Sequence, residues 1–322
     1  MFHVKQFIQL PAKQIQNVPR ETFLKMEFLV QCPLCGAGEE PSHFLECADY
    51  LMGSGSYSMV KCKLCHHVYT NPRPFENDLG VFYQSQEYIS HKEKGSSFRE
   101  RIYFRVQAYM LKRKARLINT LKLPKPKLLD VGSGAGAFLS QMKNHDLQIV
   151  GIEPNATARL KAQKKDMHVI ENQNHIPTNE ESSFGIITLW HVLEHQADFM
   201  QSLQLYHRLL APGGWLVIAV PLYLGFDAWF YGKYWAAYDL PRHLHHFSPK
   251  TLKLATQNCG FEFRGSFGMF FDAFYVAMLS ENNKGKRLGA FRAIWVAAWS
   301  NLLAALKLRP WSSQIMVFQK ST

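Results

Sequence analysis

The spacing of apolar positions changes character three times along the chain. From residue 27 to about 75, short alternating runs sit between cysteine pairs, which predicts small strands joined by tight turns. Residues 76 to 121 read as helical: Phe98, Ile102, Val106, Tyr109, Leu117 and Leu121 recur at helical spacing, with Arg and Lys on the other faces. Leu123-Pro124-Lys125-Pro126 ends that helix. From residue 127 to 322, short apolar runs alternate with helical stretches, the βαβ pattern of a doubly wound α/β sheet. The expected organisation is an extension at 1–26, a cysteine module at 27–75, a basic helical linker at 76–121 and an α/β domain at 122–322.

The cysteine module carries Cys32-Pro-Leu-Cys35-Gly36 and Cys62-Lys-Leu-Cys65-His66, with 26 residues between the pairs. Two residues between cysteines let both sulfurs point into one turn, and two such knuckles supply four thiolates to a tetrahedral Zn²⁺. Cys32, Cys35, Cys62 and Cys65 are therefore the expected ligands of a zinc ribbon. Four thiolates leave no open position, so the zinc is structural. A redox C-x-x-C or four free thiols are the alternatives. Cys47 and Cys259 read as ordinary buried cysteines.

The α/β region opens with Lys127-Leu128-Leu129-Asp130-Val131, a buried strand, followed by Gly132-Ser133-Gly134-Ala135-Gly136 and a helix carrying Phe138, Leu139 and Met142. A strand, a glycine turn and a helix start form a nucleotide cradle, because glycines let backbone approach a ligand closely. The spacing is G-x-G-x-G, not the G-x-G-x-x-G of NAD enzymes. Asp130 stands where a ligand amine can be held. The next strand, Gln148 to Ile152, ends in Glu153, whose carboxylate can accept from both ribose hydroxyls.

These segments, with Gly151-Ile152-Glu153-Pro154, Phe184 to His195 and Leu210-Ala211-Pro212-Gly213-Gly214-Trp215, resemble class I S-adenosylmethionine (SAM) dependent methyltransferases. The resemblance covers roughly residues 122 to 322. It implies a Rossmann-like seven-stranded sheet with an antiparallel last strand, with Phe261–Met269 and Gln314–Gln319 as strands six and seven. It also implies SAM as cofactor, held by Asp130, Gly132, Ser133, Gly134, Gly136, Glu153 and Trp190. One departure is Gly185, where the family commonly has Asp. Glu171 and Asn172 are the candidates for an adenine contact.

The turn after the fourth strand, Trp190-His191-Val192-Leu193-Glu194-His195, lacks the Asn/Asp-Pro-Pro-aromatic element of amino-methylating enzymes, which points to an oxygen or carbon acceptor. His191 is the first candidate base, since imidazole titrates near neutrality; the alternative is that it orients SAM or the turn. His191 and His195 also stand at i, i+4, a spacing that suits a shared metal on a helix. The stretch from Trp235 to Ser248 crowds Asp239, Arg242, His243, His245 and His246 above the sheet. His243, His245 or His246 is a candidate second base, with a structural lid of satisfied histidines as the alternative; Arg242 is a candidate partner for a ligand phosphate or carboxylate, and Ser248 the cap of the next helix. With the ribbon, this loop resembles bacterial zinc-ribbon methyltransferases of the type 23-like group.

Charge refines the choice of partner. The net charge is +12, and residues 92 to 127 supply ten of those charges through twelve Lys/Arg and two acids. That stretch reads either as a solvated helix face or as a phosphate-facing patch, and the overall balance favours an anionic partner: a small-molecule, glycan or lipid-linked acceptor, or RNA read by the ribbon and basic stretch. A SAM-binding scaffold without turnover is the non-enzymatic alternative. No apolar secretory run is visible in the first 25 residues, so a cytoplasmic protein with metal thiolates is expected. Residues 286 to 309 are largely apolar, and positions 288, 291, 295, 302 and 306 share one helical face. The expectation is a helix packed on the sheet, with a membrane-spanning helix or in-plane contact at a membrane surface as the alternatives.

Overall fold

The computed structural model describes residues 6–9, 25–83, 98–143, 145–285 and 289–321. Most of the 1–26 extension, the linker over 84–97 with Lys92 and Lys94, and residues 286–288 lie outside the described residues, as do the side chains of Phe98 and Ile102.

In chain order, β1 (Gln6–Gln9), β2 (Lys25–Phe28), β3 (Ser42–Ala48), β4 (Ser56–Lys61), β5 (Val68–Thr70) and β6 (Arg73–Pro74) make up the N-terminal region. β3, β4 and β5 form an antiparallel meander, and β2 pairs with β1 and β6. A 3-10 helix over Glu76–Tyr83 precedes α1 (Phe98–Thr120). The buried stripe of α1 is Met110, Ala115 and Ile118; Tyr109 is half exposed and lies edge-on to Phe271. Tyr109 is thus one position off the seam that the apolar spacing selected.

The α/β region follows as β7 (Lys127–Val131), α2 (Ala137–Met142), β8 (Gln148–Ile152), α3 (Ala156–Gln163), β9 (Val169–Ile170), β10 (Phe184–Trp190), α4 (Phe199–Leu209), β11 (Leu210–Pro221), α5 (Phe226–Tyr231), β12 (His245–His246), α6 (Pro249–Asn258), β13 (Phe261–Gly268), α7 (Phe270–Asn283), α8 (Ala290–Ala305) and β14 (Ser313–Lys320). Seven strands make one sheet in the order β13-β14-β11-β10-β7-β8-β9. β7 to β11 run parallel, while β14 runs antiparallel to both of its neighbours, as expected for the last strand. β10 is central and covered on both faces, which explains its unbroken apolar run. The strand order reverses between β7 and β10, so their carboxyl ends open the crevice where ligands of such sheets bind.

Gly185 explains its own departure from the family pattern. A Cβ there would lie 1.9 Å from the carbonyl oxygen of Lys125, so no side chain fits. Ser248 caps α6 as expected: its hydroxyl accepts from Thr251 N–H, and Thr251 Oγ1 accepts from Ser248 N–H.

Two couplings tie the regions together. β12, from the histidine-rich loop, pairs antiparallel with β5 and becomes the fourth strand of the ribbon sheet. One continuous core runs from Cys32, Leu34 and Tyr69 of the ribbon to Leu129, Leu189 and Phe247 of the α/β region.

α8 differs from its expectation. It packs through Ala293, Val296, Ala297 and Ala304, chiefly against α7, not on the sheet. Its large apolar residues, Phe291 (89% exposed), Ile294, Trp295, Trp299 and Leu302, face outward. Small side chains permit the close helix approach, and the bulky stripe is left over. Among the described residues, no helix is long and apolar enough to cross a membrane.

Candidate active site and zinc site

The glycine turn after β7 has a backbone that only glycine adopts without strain. Gly132, Gly134 and Gly136 have φ of 70°, 56° and 76°. A Cβ on Gly132 would lie 2.4 Å from Val192 Cγ2, so the turn packs tightly under the segment after β10. A Cβ on Gly134 would meet nothing within 4 Å, so this part of the turn faces open space. Glu153 ends β8 beside it, accepting from Gly134 N–H and Asn155 N–H at 2.8 Å each. Burial raises the Glu153 pKa against those two amides.

Asp130 lies below the turn, 1% exposed, and accepts from the Thr188 hydroxyl at 2.6 Å. Burial lifts its carboxyl to about 7, with Thr188 and Lys114 opposing. Lys114 of α1 turns inward, its Nζ 4.3 Å from the centre of the Trp190 ring. Burial lowers the Lys114 ammonium, while Asp272 and Asp130 favour its charged form. Trp190 packs edge-on to Phe138, and its buried Nε1 has no protein partner; neither does the buried Ser133 Oγ. Open space beside Gly134 and unpartnered polar atoms nearby fit a nucleotide cofactor in this cradle.

His191 leads the turn after β10 with φ of 59°. Its Nε2 is 3.1 Å from Asp272 Oδ2 on α7, and its Nδ1 is 3.5 Å from Glu194 Oε1. Burial pulls the ring's pKa down, but Asp272 and Glu194 outweigh it and leave it raised, at about 9. His191 and His195 do not share a helix face. Residues 193–195 form a 3-10 turn, and the left-handed backbone of His191 aims its ring at α7. His195 instead stacks edge-on with His243 from the loop, their ring centres 4.5 Å apart.

The structure separates the loop residues. His243, 8% exposed, meets the 193–195 turn. His245 belongs to β12, where its ring is enclosed by His67, Phe199 and Phe247; burial holds its pKa well below the usual imidazole value. It therefore lines the seam with the ribbon and not an opening. Arg242 does not await a ligand: its buried guanidinium pairs with Asp49 of the ribbon at 2.9 Å and Asp239 at 2.7 Å. Of the adenine candidates, Asn172 caps a 3-10 turn through Asn174 N–H, and Glu171 lies 3.8 Å from Arg159.

Lys114, Thr188 and Asp272 were not singled out from the sequence. Each comes from an element distant in sequence from the motifs it touches, so no local spacing signals it.

The four ribbon sulfurs lie within 4.8 Å of one another, with Cys32–Cys65 at 3.5 Å and Cys35–Cys62 at 3.7 Å. Tetrahedral Zn–S bonds of about 2.3 Å put sulfurs roughly 3.8 Å apart, so the site fits Zn²⁺. The two knuckles repeat one backbone pattern. Gly36 N–H donates to Cys32 O and His66 N–H to Cys62 O, with Gly36 and His66 both left-handed.

The profile of a family described as a methyltransferase domain matches residues 103–264. Solved structures with similar folds include a putative sarcosine dimethylglycine methyltransferase from Galdieria sulphuraria, at 15% identity, covering 66% of this chain and 84% of that one, with a TM-score of 0.46. A possible histamine N-methyltransferase from Thermotoga maritima gives 18% identity, 69% and 95% coverage and a TM-score of 0.47. A SAM-dependent methyltransferase from Archaeoglobus fulgidus gives 16%, 70%, 100% and 0.45. No curated protein matches the chain. With the profile spanning half of its residues, and the strand order and glycine cradle in place, this chain belongs to the methyltransferase-domain family and is a SAM-dependent methyltransferase.

Proposed function

We propose that the enzyme methylates an oxygen or carbon of an amphipathic, lipid-linked acceptor at a membrane surface. The observation that carries this reading is the outward apolar face of α7 and α8. Phe270, Tyr275 and Met278 of α7 join Phe291, Trp295 and Trp299 of α8 on the surface. α7 also carries Asp272, which touches His191, so the apolar face and the turn after β10 share one helix. Residues 270–309 contain only two acids, and both are paired: Asp272 with His191, and Glu281 with Arg292 and Tyr231. Their six Lys/Arg suit an anionic lipid surface beneath a Trp-rich face.

SAM supplies a methyl group on a positively charged sulfur. In our reading Glu153 binds the ribose hydroxyls, and the turn from Gly132 to Gly136 carries the cofactor. Asp130 and Lys114 present one negative and one positive group, the complement of the cofactor's amino-acid end. Both nitrogens of His191 face carboxylates, so His191 alone is not an open base. The candidate proton acceptor is the His191–Asp272 pair, with Asp272 partly exposed. The basic stretch gives RNA less support. Among its described residues, Lys114 turns inward and Lys127 pairs with Glu180.

Incubating methyl-labelled SAM and the enzyme with fractionated host extract tests the proposal. Label in a lipid-extractable fraction is expected. RNase-sensitive label would make RNA the acceptor, and tight SAM binding with no label in any fraction would favour a scaffold.

A further inference from the structure

The 3-10 turn over Leu193–His195 and the loop before β12 bring together three groups that neither segment holds alone. One ligand atom each from Glu194, His195 and His243 lie within 4.8 Å of one another. Turn and loop are locked in register by the Leu244 amide, which donates to the Glu194 carbonyl at 2.8 Å.

The hydrogen bonds around the two rings define their tautomers. His243 Nδ1 lies 2.9 Å from the carbonyl of Ala237. His195 Nδ1 lies 3.1 Å from the carbonyl of Arg242 and 2.8 Å from the Tyr83 hydroxyl. A carbonyl only accepts, so Nδ1 carries the hydrogen in each ring and Nε2 keeps its lone pair. A backbone carbonyl on one ring nitrogen is the arrangement that orients the other toward a metal.

Glu194 supplies the independent observation. It is 1% exposed, and neither carboxylate oxygen has a hydrogen-bond partner; His191 Nδ1, 3.5 Å from Oε1, is its ion-pair contact. Asp239, which pairs with Arg242, adds a carboxylate oxygen 3.9 Å from His243 Nε2. His191 faces Oε1 of the Glu194 carboxylate, while Oε2 and the two imidazole lone pairs form a cluster of acceptors that a bound cation would satisfy.

We propose that Glu194, His195 and His243 form a second metal site, for a divalent first-row cation such as Mn²⁺ or Fe²⁺. Two imidazoles and one carboxylate are harder ligands than the four ribbon thiolates, so the two sites select different metals. Three protein ligands leave positions open for water or an oxygen of the acceptor. Metal binding stands apart from the acceptor reading. Only the chemical role rests on it: a bound cation would polarise an acceptor hydroxyl, whose proton would pass to the His191–Asp272 pair as the oxygen takes the methyl group and the cofactor leaves as a neutral thioether.

The test is Mn²⁺ titration of the zinc-loaded full chain, read by the electron paramagnetic resonance signal of the free aqua ion, without SAM or acceptor. About one Mn²⁺ per chain is expected. Glu194→Gln and His243→Gln each weaken it at least about tenfold, with zinc content and SAM-induced stabilisation unchanged. Co²⁺ added to the zinc-loaded wild type supplies a reading that needs no variant: weak d–d bands without intense sulfur-to-cobalt charge transfer. Mn²⁺ that stays free at millimolar protein, or binds a chain carrying both Glu194→Gln and His243→Gln as well as it binds the wild type, overturns the site. A site that binds Mn²⁺ while the lipid fraction stays unlabelled would sink the acceptor reading alone.

Discussion

His245 and Tyr69 face each other across the antiparallel pair of β12 and β5, joining the loop above the sheet to the zinc ribbon. The backbone of Thr70 continues the contact by donating to Leu244 O, and the Thr70 hydroxyl donates to His243 O. The ribbon thus holds in place the segment that carries His243.

Zinc removal should therefore damage more than the ribbon. Elemental analysis is expected to give close to one Zn per chain. Because the core is continuous, chelation should lower the single melting transition of the whole chain, not produce a separate ribbon transition. Zinc-free protein that melts unchanged would refute this.

Glu153→Ala removes the carboxylate expected to hold the ribose. Charge-assisted hydrogen bonds contribute about 1.5–3 kcal/mol each, so SAM affinity should fall roughly tenfold or more. Calorimetry checks this, and unchanged affinity would remove Glu153 from the cofactor site.

If Asp130 holds the cofactor's ammonium, as we propose, cofactor binding should depend on pH. The Asp130 carboxyl is raised from 3.8 to about 7 by burial, so the folded protein holds this proton more tightly than the unfolded chain. In the ligand-free enzyme, its contribution to stability is full below the unfolded value and declines as pH rises toward 7. The cofactor's ammonium needs the ionised form, so SAM affinity should rise through the same region. Thermal shift by SAM, compared at about pH 6 and pH 8, should be larger at the higher pH. In Asp130→Asn the difference should shrink.

His191→Asn tests the pair with Asp272. Asn tolerates the left-handed backbone at this position, where Ala would add strain. Turnover should drop by about 10² or more while SAM affinity holds. Asp272→Asn should reproduce the loss, and a variant with full turnover would free His191 from the chemistry.

The outward stripe of α8 can be tested with vesicles. Sedimentation with anionic liposomes should carry down the wild type at low salt and far less of Phe291→Ser/Trp295→Ser. Equal partition of both proteins would argue against a membrane surface. Phe291 is 89% exposed, and Trp295 is 55% exposed but stacks on Trp299, so the fold should be retained with a small loss of stability, which a melting curve checks.

Much of the architecture was legible because its signals are local. Two C-x-x-C knuckles, a strand entering G-x-G-x-G, and an acid at the end of the next strand each fit within a few residues. The α/β alternation that sets the parallel sheet is a pattern along the chain, and even strands six and seven fell within a residue of their expected bounds. The neighbours of the turn after β10 were another matter. Asp272 opposite His191, Lys114 over Trp190, and His243 beside Glu194 and His195 each join residues from separate elements. Their meeting depends on how the helices and the ribbon pack. Periodicity likewise found an apolar stripe on α8 but not its direction. Alanines packed against α7 turned the bulky face outward, because which side of a helix is buried depends on what lies against it.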